Sequence, residues 1–327
     1  MPITTQIIGT GSYLPEKIVT NDDLAKTIDT SDEWIRERTG IGQRHIAAEG
    51  ELTSDLAFHA ASRAIEAAGI VAQEVDLIII GTTTPDHTFP ATAARLQAML
   101  NTGNGFAFDL QAVCSGFIYG LSVADNFIRM GQVKTALVVG AETMSRLIDW
   151  QDRTTCFLFG DGAGAVVLRG EETGDDDQGA AKRGILSTHL HSNGHLYDLL
   201  HASGGPSWTQ TAGHIRMQGR EVFRHAVTNL ASVVDEALEA NGLSYDDIDW
   251  LVPHQANQRI LDGTTRKLRL PKSRVVVTIA EHANTSAASV PLALDTAVRD
   301  GRIKPGQLIL MEAMGGGLTW GAGLVRW

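Results

Sequence analysis

The segment from Ala64 to Ile79, "AIEAAGIVAQEVDLII", returns in altered form from Ala237 to Val252 as "ALEANGLSYDDIDWLV". The two copies align without a gap, so each position of the first has its counterpart at one constant offset in the second. Each begins as an amphipathic helix, reaches a glycine typical of a helix C-terminus, and continues into an apolar run that predicts a buried strand. Two independent helix–loop–strand units could share a helix-ending glycine followed by an apolar run, but an ungapped match of this length favours an internally duplicated fold.

Strand and helix patterns alternate outside the repeat as well. Amphipathic helices are predicted over Ser54–Ala68 and Gly219–Asn241, since apolar residues recur there at helical spacing. This alternation indicates an α/β fold with mostly parallel strands. The acidic, glycine-rich stretch Gly170–Gly184 is typical of a solvated loop, and it divides the chain into predicted halves of about 1–172 and 173–327. Short apolar runs predict buried strands at Asp76–Thr84, Thr135–Glu142, Trp250–Pro253, Arg274–Ile279 and Gln307–Glu312.

Composition narrows the class of protein. The chain has 327 residues, and 27 lysines and arginines against 38 aspartates and glutamates give a net charge of −11. A balance this acidic argues against general nucleic-acid binding, which needs a basic surface. Two cysteines cannot form a disulfide framework, no apolar run is long enough to span a bilayer, and no secretory leader is visible at the N-terminus. We therefore expect a cytoplasmic protein with no membrane partner.

Cys114 stands in "DLQAVCSGFIYGL", where a predicted strand meets a predicted helix. A helix N-terminus stabilises a thiolate, so this position is expected to lower the pKa of the thiol and favours a nucleophile. A buried structural thiol is the alternative, because free cysteine is among the most buried residue types. The second cysteine, Cys156, lies in the apolar run "TTCFLF" and is interpreted as a core residue.

Three further segments carry chemically useful groups. His254 directly follows the strand of the second repeat, at the edge where open α/β sheets bind ligands. Asn284 precedes a run of small side chains, in which Thr285 or Ser286 could instead cap a helix. The glycines Gly315–Gly317 could present backbone N–H groups to an oxyanion, or form only a turn between strands. Alone, none of these segments decides between a site and a structural role.

Two other motifs could suggest a dinucleotide-binding site and a metal site, but neither pattern is complete. The glycines of "FGDGAGAVVL", Phe159–Leu168, run into a strand pattern rather than a helix, which excludes a dinucleotide-binding fingerprint. His189, His191 and His195 lie close in sequence, but no Asp, Glu or Cys cluster completes a metal site. We expect no metal and no permanently bound cofactor.

Five motifs, taken together, resemble one family. They are "QAVCSGF", "FGDGAGAVVL", "PHQANQRI", "HANTSAAS" and "GGGLTWG", and their order and spacing resemble those of β-ketoacyl-acyl carrier protein synthase III in the thiolase-like superfamily. The segment from Gly9 to Ile41 is similar to the N-terminus of that family, so the resemblance covers essentially the whole chain. It implies a five-layered αβαβα sandwich built from two duplicated halves.

The resemblance also implies a reaction, a decarboxylative Claisen condensation that initiates fatty-acid synthesis. Cys114 would take an acyl group, expected to be acetyl, from coenzyme A, and malonyl-acyl carrier protein would lose CO₂ to give the attacking enolate. His254 and Asn284 would donate hydrogen bonds to the enolate oxygen. The backbone N–H groups of Cys114 and Gly316 would hold the tetrahedral oxyanion. A homodimer is implied as well.

The same match supplies the expected substrate contacts. Phe89 would close the acyl pocket of the neighbouring subunit. Met314 stands where the family often has phenylalanine, which leaves the primer chain length open. Trp34 has an alternative reading as a packed helix-surface residue in "EWIRER". The residues expected to contact coenzyme A are Trp34, Arg38, Arg153, Gly219, Phe223, Ala256 and Asn257.

A basic patch is the local exception to the acidic balance of the chain. Arg259 and Arg266 are seven residues apart, so they share one face of a predicted helix. Acyl carrier protein is acidic, and the patch is therefore predicted to dock it, with a merely solvated surface as the alternative. The residues of this docking patch are Arg224, Arg259, Arg266 and Lys267, with Arg269 and Lys272 nearby.

Three rival functions are weighed against this one. A secondary-metabolite ketosynthase or acyltransferase on the same fold would have nearly the same site. A papain-like hydrolase shares the order Cys, His, Asn, and the separation of Cys114 from His254 fits that class, but its cysteine motif is missing. A catalytically dead acyl-binding scaffold would not need an intact set of Cys114, His254 and Asn284.

Overall fold

The computed structural model describes residues 3–172 and 183–327. Of the loop predicted at Gly170–Gly184, residues 173–182 lie outside the described residues, whereas Gly170–Glu172 and Gly184 belong to strands rather than to a loop. The strands are β1 (Ile3–Tyr13), β2 (Lys17–Thr20), β3 (Gln43–Ile46), β4 (Leu77–Gly81), β5 (Phe106–Leu110), β6 (Thr135–Thr143), β7 (Asp161–Glu172), β8 (Gly184–Ser192), β9 (Leu200–Ala202), β10 (Ile215–Met217), β11 (Trp250–Pro253), β12 (Leu308–Gly315) and β13 (Thr319–Arg326). The helices are α1 (Asn21–Ala25), α2 (Asp32–Thr39), α3 (Thr53–Ala68), α4 (Thr92–Leu100), α5 (Gly116–Arg129), α6 (Gly219–Ala240), α7 (Gln258–Lys267), α8 (Ile279–His282) and α9 (Ser289–Arg299).

Two sheets and three helical layers make up the architecture. The first sheet has the order β1-β7-β6-β4-β5 and the second the order β11-β12-β13-β8, while β2-β3 and β9-β10 are small separate ribbons. Helices α3 and α4 pack on one face of the first sheet, α5 and α9 lie between the sheets, and α6 packs on the outer side of the second. The predicted αβαβα sandwich is confirmed.

The duplication extends from backbone to side chains. After α3 the chain turns at Gly69 (φ 66°), and after α6 it turns at Gly242 (φ 63°), both in the left-handed region that favours glycine. A carboxylate then precedes the strand in each copy. Asp76 accepts a hydrogen bond from the first amide of β6 at 3.0 Å, and Asp249 accepts one from the first amide of β12 at 2.8 Å. The same side chain therefore fixes the start of the neighbouring parallel strand in both halves.

One predicted strand is wrong. The segment Arg274–Ile279 runs beside β11, but it makes only an isolated bridge between Val275 and Leu251. The side-chain amide of Gln255 accepts from the N–H of Thr278 at 2.8 Å and donates to the carbonyl of Val276 at 3.1 Å. A side chain thus satisfies backbone groups that a ladder would otherwise pair.

The largest core cluster lies between the sheets and is centred on α5. Phe117, Ile118 and Leu121 are completely buried there, and full burial of such side chains stabilises the fold by roughly 1.5–3 kcal/mol each. A helix that is apolar on both sides is expected in a central layer. This packing fixes the start of α5 against the second sheet, and Cys114 lies just before that start.

Candidate active site

A cavity of about 580 Å³ reaches from the surface near α2, α6 and α7 to the start of α5. Of the predicted site residues, those that line it are Cys114, His254, Asn284, Arg38, Gly219, Phe223, Ala256, Asn257, Arg259 and Met314. Those that do not are Trp34, Phe89, Arg153, Arg224, Arg266, Lys267 and Gly316. The structure therefore brings the three proposed reacting side chains into one space, with most of the predicted coenzyme A contacts around them.

Two matching turns meet at the bottom of the cavity. A 3-10 turn at Val113–Ser115 leads into α5, and a 3-10 turn at Ser286–Ala288 leads into α9. The first residue of each has a left-handed backbone, with φ of 50° at Val113 and 49° at Ser286. Val113 and Ser286 are separated by the same offset as Ala64 and Ala237, the starts of the sequence repeat. The two turns pack against each other, so the duplicated halves meet at Cys114.

Glycines in two strands allow this close approach. A Cβ added at Gly315, the last residue of β12, would lie 2.6 Å from the backbone nitrogen of Cys114. A Cβ added at Gly140 in β6 would lie 2.1 Å from the carbonyl oxygen of Ala287. Real Cβ atoms do not approach other atoms this closely, so only glycine fits at either position without a backbone shift.

Cys114 is 4% exposed, and burial raises the pKa of its thiol to about 12. The neighbouring Ser286 hydroxyl lowers this pKa, whereas the charge of Glu142 raises it. The expectation that a helix N-terminus lowers the pKa of the thiol is wrong. Cys114 lies in the 3-10 turn before α5, and loss of water outweighs the helix. The resting thiol is therefore neutral and must lose a proton to react.

His254 follows β11 directly, and its backbone N–H donates to the carbonyl of Glu312 at 2.8 Å. Burial lowers the pKa of the imidazole to about 3, so the ring is neutral at physiological pH. Its Nδ1 is enclosed and has no hydrogen-bond partner among the described residues. The ring nitrogen on the cavity side is accordingly Nε2, which suits a neutral hydrogen-bond donor.

The side chain of Asn284 is oriented by the second turn. Its Oδ1 accepts a hydrogen bond from the backbone N–H of Ser286 at 2.9 Å, which leaves the Nδ2 donor for the cavity. The reading of Thr285 or Ser286 as a helix cap is wrong, since neither side chain caps the turn or α9. The Ser286 hydroxyl instead donates to Glu142 Oε1 at 2.9 Å.

Aromatic and basic side chains gather beyond the mouth of the cavity. The guanidinium of Arg38 lies 4.3 Å from the ring centre of Trp34, and that of Arg153 lies 5.6 Å from it. Trp34 also packs edge-on against Phe157, with ring centres 5.2 Å apart. Trp34 is therefore packed on one side, as the helix-surface alternative expects, and bounded by cations on another, while its contact with coenzyme A stays a prediction. A basic residue that the sequence analysis missed, Arg220, lies at the mouth as well.

The remaining predicted residues occupy distinct places. Met314 is 7% exposed and forms part of the cavity wall. Phe89 is 84% exposed and does not line the cavity of its own chain. The backbone at Gly316 packs against Leu200 and Val113, beside the first turn rather than in the cavity lining. The residues of the docking patch are exposed, and Arg224 pairs with Glu221 at 2.6 Å.

Three roles escaped the sequence analysis: the buried carboxylate of Glu142, the Ser286 hydroxyl as a hydrogen-bond donor, and the close contact of Gly315 with the Cys114 backbone. The signal that finds them is the repeat offset. The shift that carries Ala64 to Ala237 also carries Val113 to Ser286 and Glu142 to Gly315. The same offset therefore relates the two turns to each other and the two strand ends to each other: Glu142 lies against the second turn, and Gly315 lies against the first.

Metal and membrane features complete the description. Among residues 3–172 and 183–327, no group of three or more His, Cys, Asp or Glu side chains is placed to hold a metal ion. His189 and His191 both hydrogen-bond to one carboxylate, that of Glu236. None of the described helices combines the length and apolar character needed to cross a bilayer.

Comparison with known proteins identifies the family. Models of 3-oxoacyl-[acyl-carrier-protein] synthase III match residues 108–194, and those of its C-terminal part match residues 238–327. The β-ketoacyl-[acyl-carrier-protein] synthase III of Paramagnetospirillum magneticum is 67% identical over 326 residues, which cover 100% of both chains. The chain belongs to the 3-oxoacyl-[acyl-carrier-protein] synthase III family. The relative from Rhodospirillum rubrum is 67% identical over 322 residues, 98% of each chain.

Solved structures agree with this assignment. The 3-oxoacyl-[acyl-carrier-protein] synthase III of Aquifex aeolicus superposes with a TM-score of 0.92 at 49% identity, covering 99% of this chain and 100% of that one. A priming β-ketosynthase of a polyketide pathway superposes with a TM-score of 0.92 at 35% identity, covering 99% and 96%. The predicted enzyme class is confirmed: the chain is a condensing acyltransferase of the type that initiates fatty-acid synthesis. The papain-like and dead-scaffold alternatives are wrong.

Proposed function

We propose that Cys114 accepts an acyl group, with acetyl as the expected primer, from coenzyme A and that the bound acyl group condenses with malonyl-acyl carrier protein. The products are a 3-oxoacyl-acyl carrier protein, coenzyme A and CO₂. The observation that carries the proposal is the convergence of Cys114, His254 and Asn284 on one cavity. The thioester is the only covalent intermediate, and no permanently bound cofactor takes part.

In the first half-reaction the Cys114 sulfur attacks the acyl carbonyl of the coenzyme A thioester. The backbone N–H groups of Cys114 and Gly316 hold the resulting oxyanion, because fixed donors cost no reorganisation at the moment of reaction. The close packing of Gly315 on the Cys114 backbone supports this role by holding the first turn rigidly. Met314 limits the acyl chain from the side, so the primer length depends on this flexible wall.

In the second half-reaction the malonyl group loses CO₂, and its electrons form an enolate. Neutral His254, through Nε2–H, and Asn284, through Nδ2–H, donate to the enolate oxygen. No base has to remove a proton from carbon, since departure of CO₂ supplies the carbanion. A histidine whose pKa is near 3 stays neutral through this step and acts as a donor only.

The coenzyme A donor lies along the cavity in this proposal. Trp34, Arg38 and Arg153 clasp the adenine end, where a π-face and two guanidinium groups already lie together. The pantetheine arm follows the wall formed by Gly219, Phe223, Ala256 and Asn257 towards Cys114.

The carrier protein docks on the basic patch of Arg224, Arg259, Arg266 and Lys267. Arg259 lines the mouth of the cavity, so a partner bound there could deliver its prosthetic arm to Cys114. The substitution Arg259→Glu is expected to raise KM for the carrier-protein substrate far more than KM for acyl-CoA. Equal effects on both KM values would refute a specific docking face.

The enzyme acts as a cytoplasmic homodimer in this proposal, in which Phe89 closes the acyl pocket of the partner subunit. The support is that Phe89 is 84% exposed within one chain, the largest exposed fraction among the large apolar side chains of the described residues. The two halves 1–172 and 173–327 each supply part of every active site.

Intact-mass measurement after incubation with a panel of acyl-CoAs tests the function. A stable adduct on Cys114 is expected, absent in Cys114→Ala, and discharged only when malonyl-acyl carrier protein is added. Failure to form any adduct would sink the proposal. Discharge by another acceptor, but not by malonyl-acyl carrier protein, would favour a secondary-metabolite ketosynthase, the candidate that the priming β-ketosynthase structure keeps open.

A further inference from the structure

Glu142 is a completely buried carboxylate at the end of β6 that the reaction described above does not use. Its oxygens accept hydrogen bonds from Thr82–Thr84, the segment that follows β4. The donors are the hydroxyls of Thr82 (3.2 Å), Thr83 (3.0 Å) and Thr84 (2.6 Å) and the backbone N–H of Thr83 (3.1 Å). A fifth donor is the Ser286 hydroxyl, 2.9 Å from Oε1.

Ser286 connects this carboxylate to the nucleophile. The same hydroxyl lies beside the Cys114 thiol and acts on its pKa, and the turns that carry the two residues pack against each other. Cys114 is also the group whose pKa the charge of Glu142 raises. The order Cys114 thiol, Ser286 hydroxyl, Glu142 carboxylate is therefore a short chain of groups that can each give or take a proton.

The reaction needs such a chain. A thiol with a pKa of about 12 has to give up its proton when it forms a thioester, and Cys114 is only 4% exposed to solvent. His254 is a poor acceptor, because its own pKa is lowered to about 3. Burial raises the pKa of Glu142, which makes it a stronger base than an exposed carboxylate.

We propose that Glu142, acting through the Ser286 hydroxyl, takes the proton of Cys114 during acylation and returns it after condensation. This proposal rests on the function proposed above. As the sulfur bonds to the acyl carbon, its proton passes to the Ser286 oxygen while the Ser286 proton passes to Glu142 Oε1. Coenzyme A leaves as a thiolate and takes a proton from solvent.

The second half-reaction closes the cycle. The enolate carbon attacks the acyl thioester, the carbon–sulfur bond breaks, and the electron pair stays on Cys114 as a thiolate. Protonated Glu142 returns its proton through Ser286, which restores the thiol and the carboxylate. One solvent proton is consumed per turnover, which matches the loss of the malonyl carboxylate as neutral CO₂.

A purely structural role would look different. If Glu142 only anchored the Thr82–Thr84 segment, losing any of its hydroxyl partners would have a similar effect on activity. If it acted only as a nearby negative charge, its removal would lower the pKa of Cys114 and speed the reactions of the thiol. The relay predicts the opposite sign, because the thiol then loses its proton acceptor.

The experiment compares Glu142→Gln and Ser286→Ala with the wild-type enzyme, and uses Thr82→Val as the matched control. The control removes one hydroxyl from Glu142 without touching the relay. Two rates are measured between pH 6 and pH 9: acylation of Cys114 by acetyl-CoA, followed by intact mass, and alkylation by iodoacetamide, with Cys114→Ala as the blank. Circular dichroism and thermal unfolding identify any variant that does not fold.

Loss of a general base is expected to slow both reactions by about 10²-fold in Glu142→Gln and Ser286→Ala at pH 7. The deficit should shrink as the pH rises, because hydroxide replaces the missing base, while Thr82→Val stays close to wild type. Faster alkylation in Glu142→Gln, or an equal loss in Thr82→Val, would overturn the relay. If one relay variant fails to fold, the other decides. Acylation failing in the wild-type enzyme would instead overturn the proposed function, and alkylation would still test the relay.

Discussion

The turn at Val113–Ser115 and the turn at Ser286–Ala288 have similar backbone conformations but different roles. Each begins with a left-handed residue, runs through one 3-10 turn and opens a central helix. The middle position holds Cys114 in the first turn and its repeat counterpart Ala287 in the second. The second turn contributes instead through its first residue, Ser286, which fixes the Asn284 amide and binds Glu142. Duplication supplied two equal supports, and the side chains then divided the chemistry between them.

The buried carboxyl groups Glu142 in the first half and Glu312 in the second also differ, in the number of their hydrogen-bond partners. Glu142 accepts hydrogen bonds from three threonines and Ser286, whereas both oxygens of Glu312 are buried with no partner among the described residues. Burial raises the pKa of Glu312 to about 8, so this side chain keeps its proton at neutral pH. A carboxylate surrounded by hydrogen-bond donors can exchange protons with a neighbour, whereas a buried carboxyl group without partners makes the free energy of unfolding depend on pH.

The largest expected effect separates the duties of the two halves. His254→Ala should slow malonyl decarboxylation by about 10²–10³-fold, because the enolate loses a donor, while leaving acylation of Cys114 measurable. Radiolabelled CO₂ release and intact mass report the two steps. His282→Ala is the control, since His282 also has a pKa lowered by burial but does not line the cavity. Loss of acylation with normal decarboxylation would reverse the assignment.

A second substitution disturbs the close packing of a strand glycine against the Ser286–Ala288 turn. Gly140→Ala places a methyl group against the backbone carbonyl of Ala287, where no flexible side chain can move aside. We expect the free energy of unfolding to fall by about 3 kcal/mol, at the upper end of overpacking costs. Chemical denaturation measures it. Gly194→Ala, where an added Cβ meets nothing within 4 Å, should change stability by less than about 0.5 kcal/mol. Equal stabilities would mean that the turns do not need this close approach.

A pH-dependent effect on stability is expected from Glu312. Its folded pKa of about 8 lies above its ordinary value of 4.5, so the folded state holds a proton that the unfolded state releases between these values. Its contribution to stability is therefore complete below pH 4.5 and is lost as the pH rises towards 8, by at most about 1.4 kcal/mol per pH unit. Denaturation at pH 5 and pH 8 should show a steeper decline for wild type than for Glu312→Gln. Parallel declines would place the titration elsewhere.

Much of this arrangement could be predicted from the sequence because it is periodic. The repeat predicted two helix–glycine–strand units, and β11 runs over Trp250–Pro253 as the apolar pattern predicts. Cys114, His254 and Asn284 could be named because each follows a recognisable boundary between elements. Family resemblance, rather than periodicity, then supplied their roles.

Other features depend on contacts that no local pattern records. The strand predicted at Arg274–Ile279 fails because a distant side chain, that of Gln255, occupies its backbone groups. The lowered pKa expected for Cys114 fails because the depth of burial is a tertiary property. Glu142 escaped notice because its partners lie far away in the sequence, with Ser286 the most distant of them.

The glycine contacts of β6 and β12 also decide which residues of this enzyme can be substituted. Backbone pressed on backbone leaves no room for a new side chain, so Gly140 and Gly315 act as fixed points for redesign. The lateral wall around Met314 is different, because it consists of replaceable apolar side chains. Substitutions should therefore accumulate along that wall, while Gly140 and Gly315 resist substitution although neither lines the cavity.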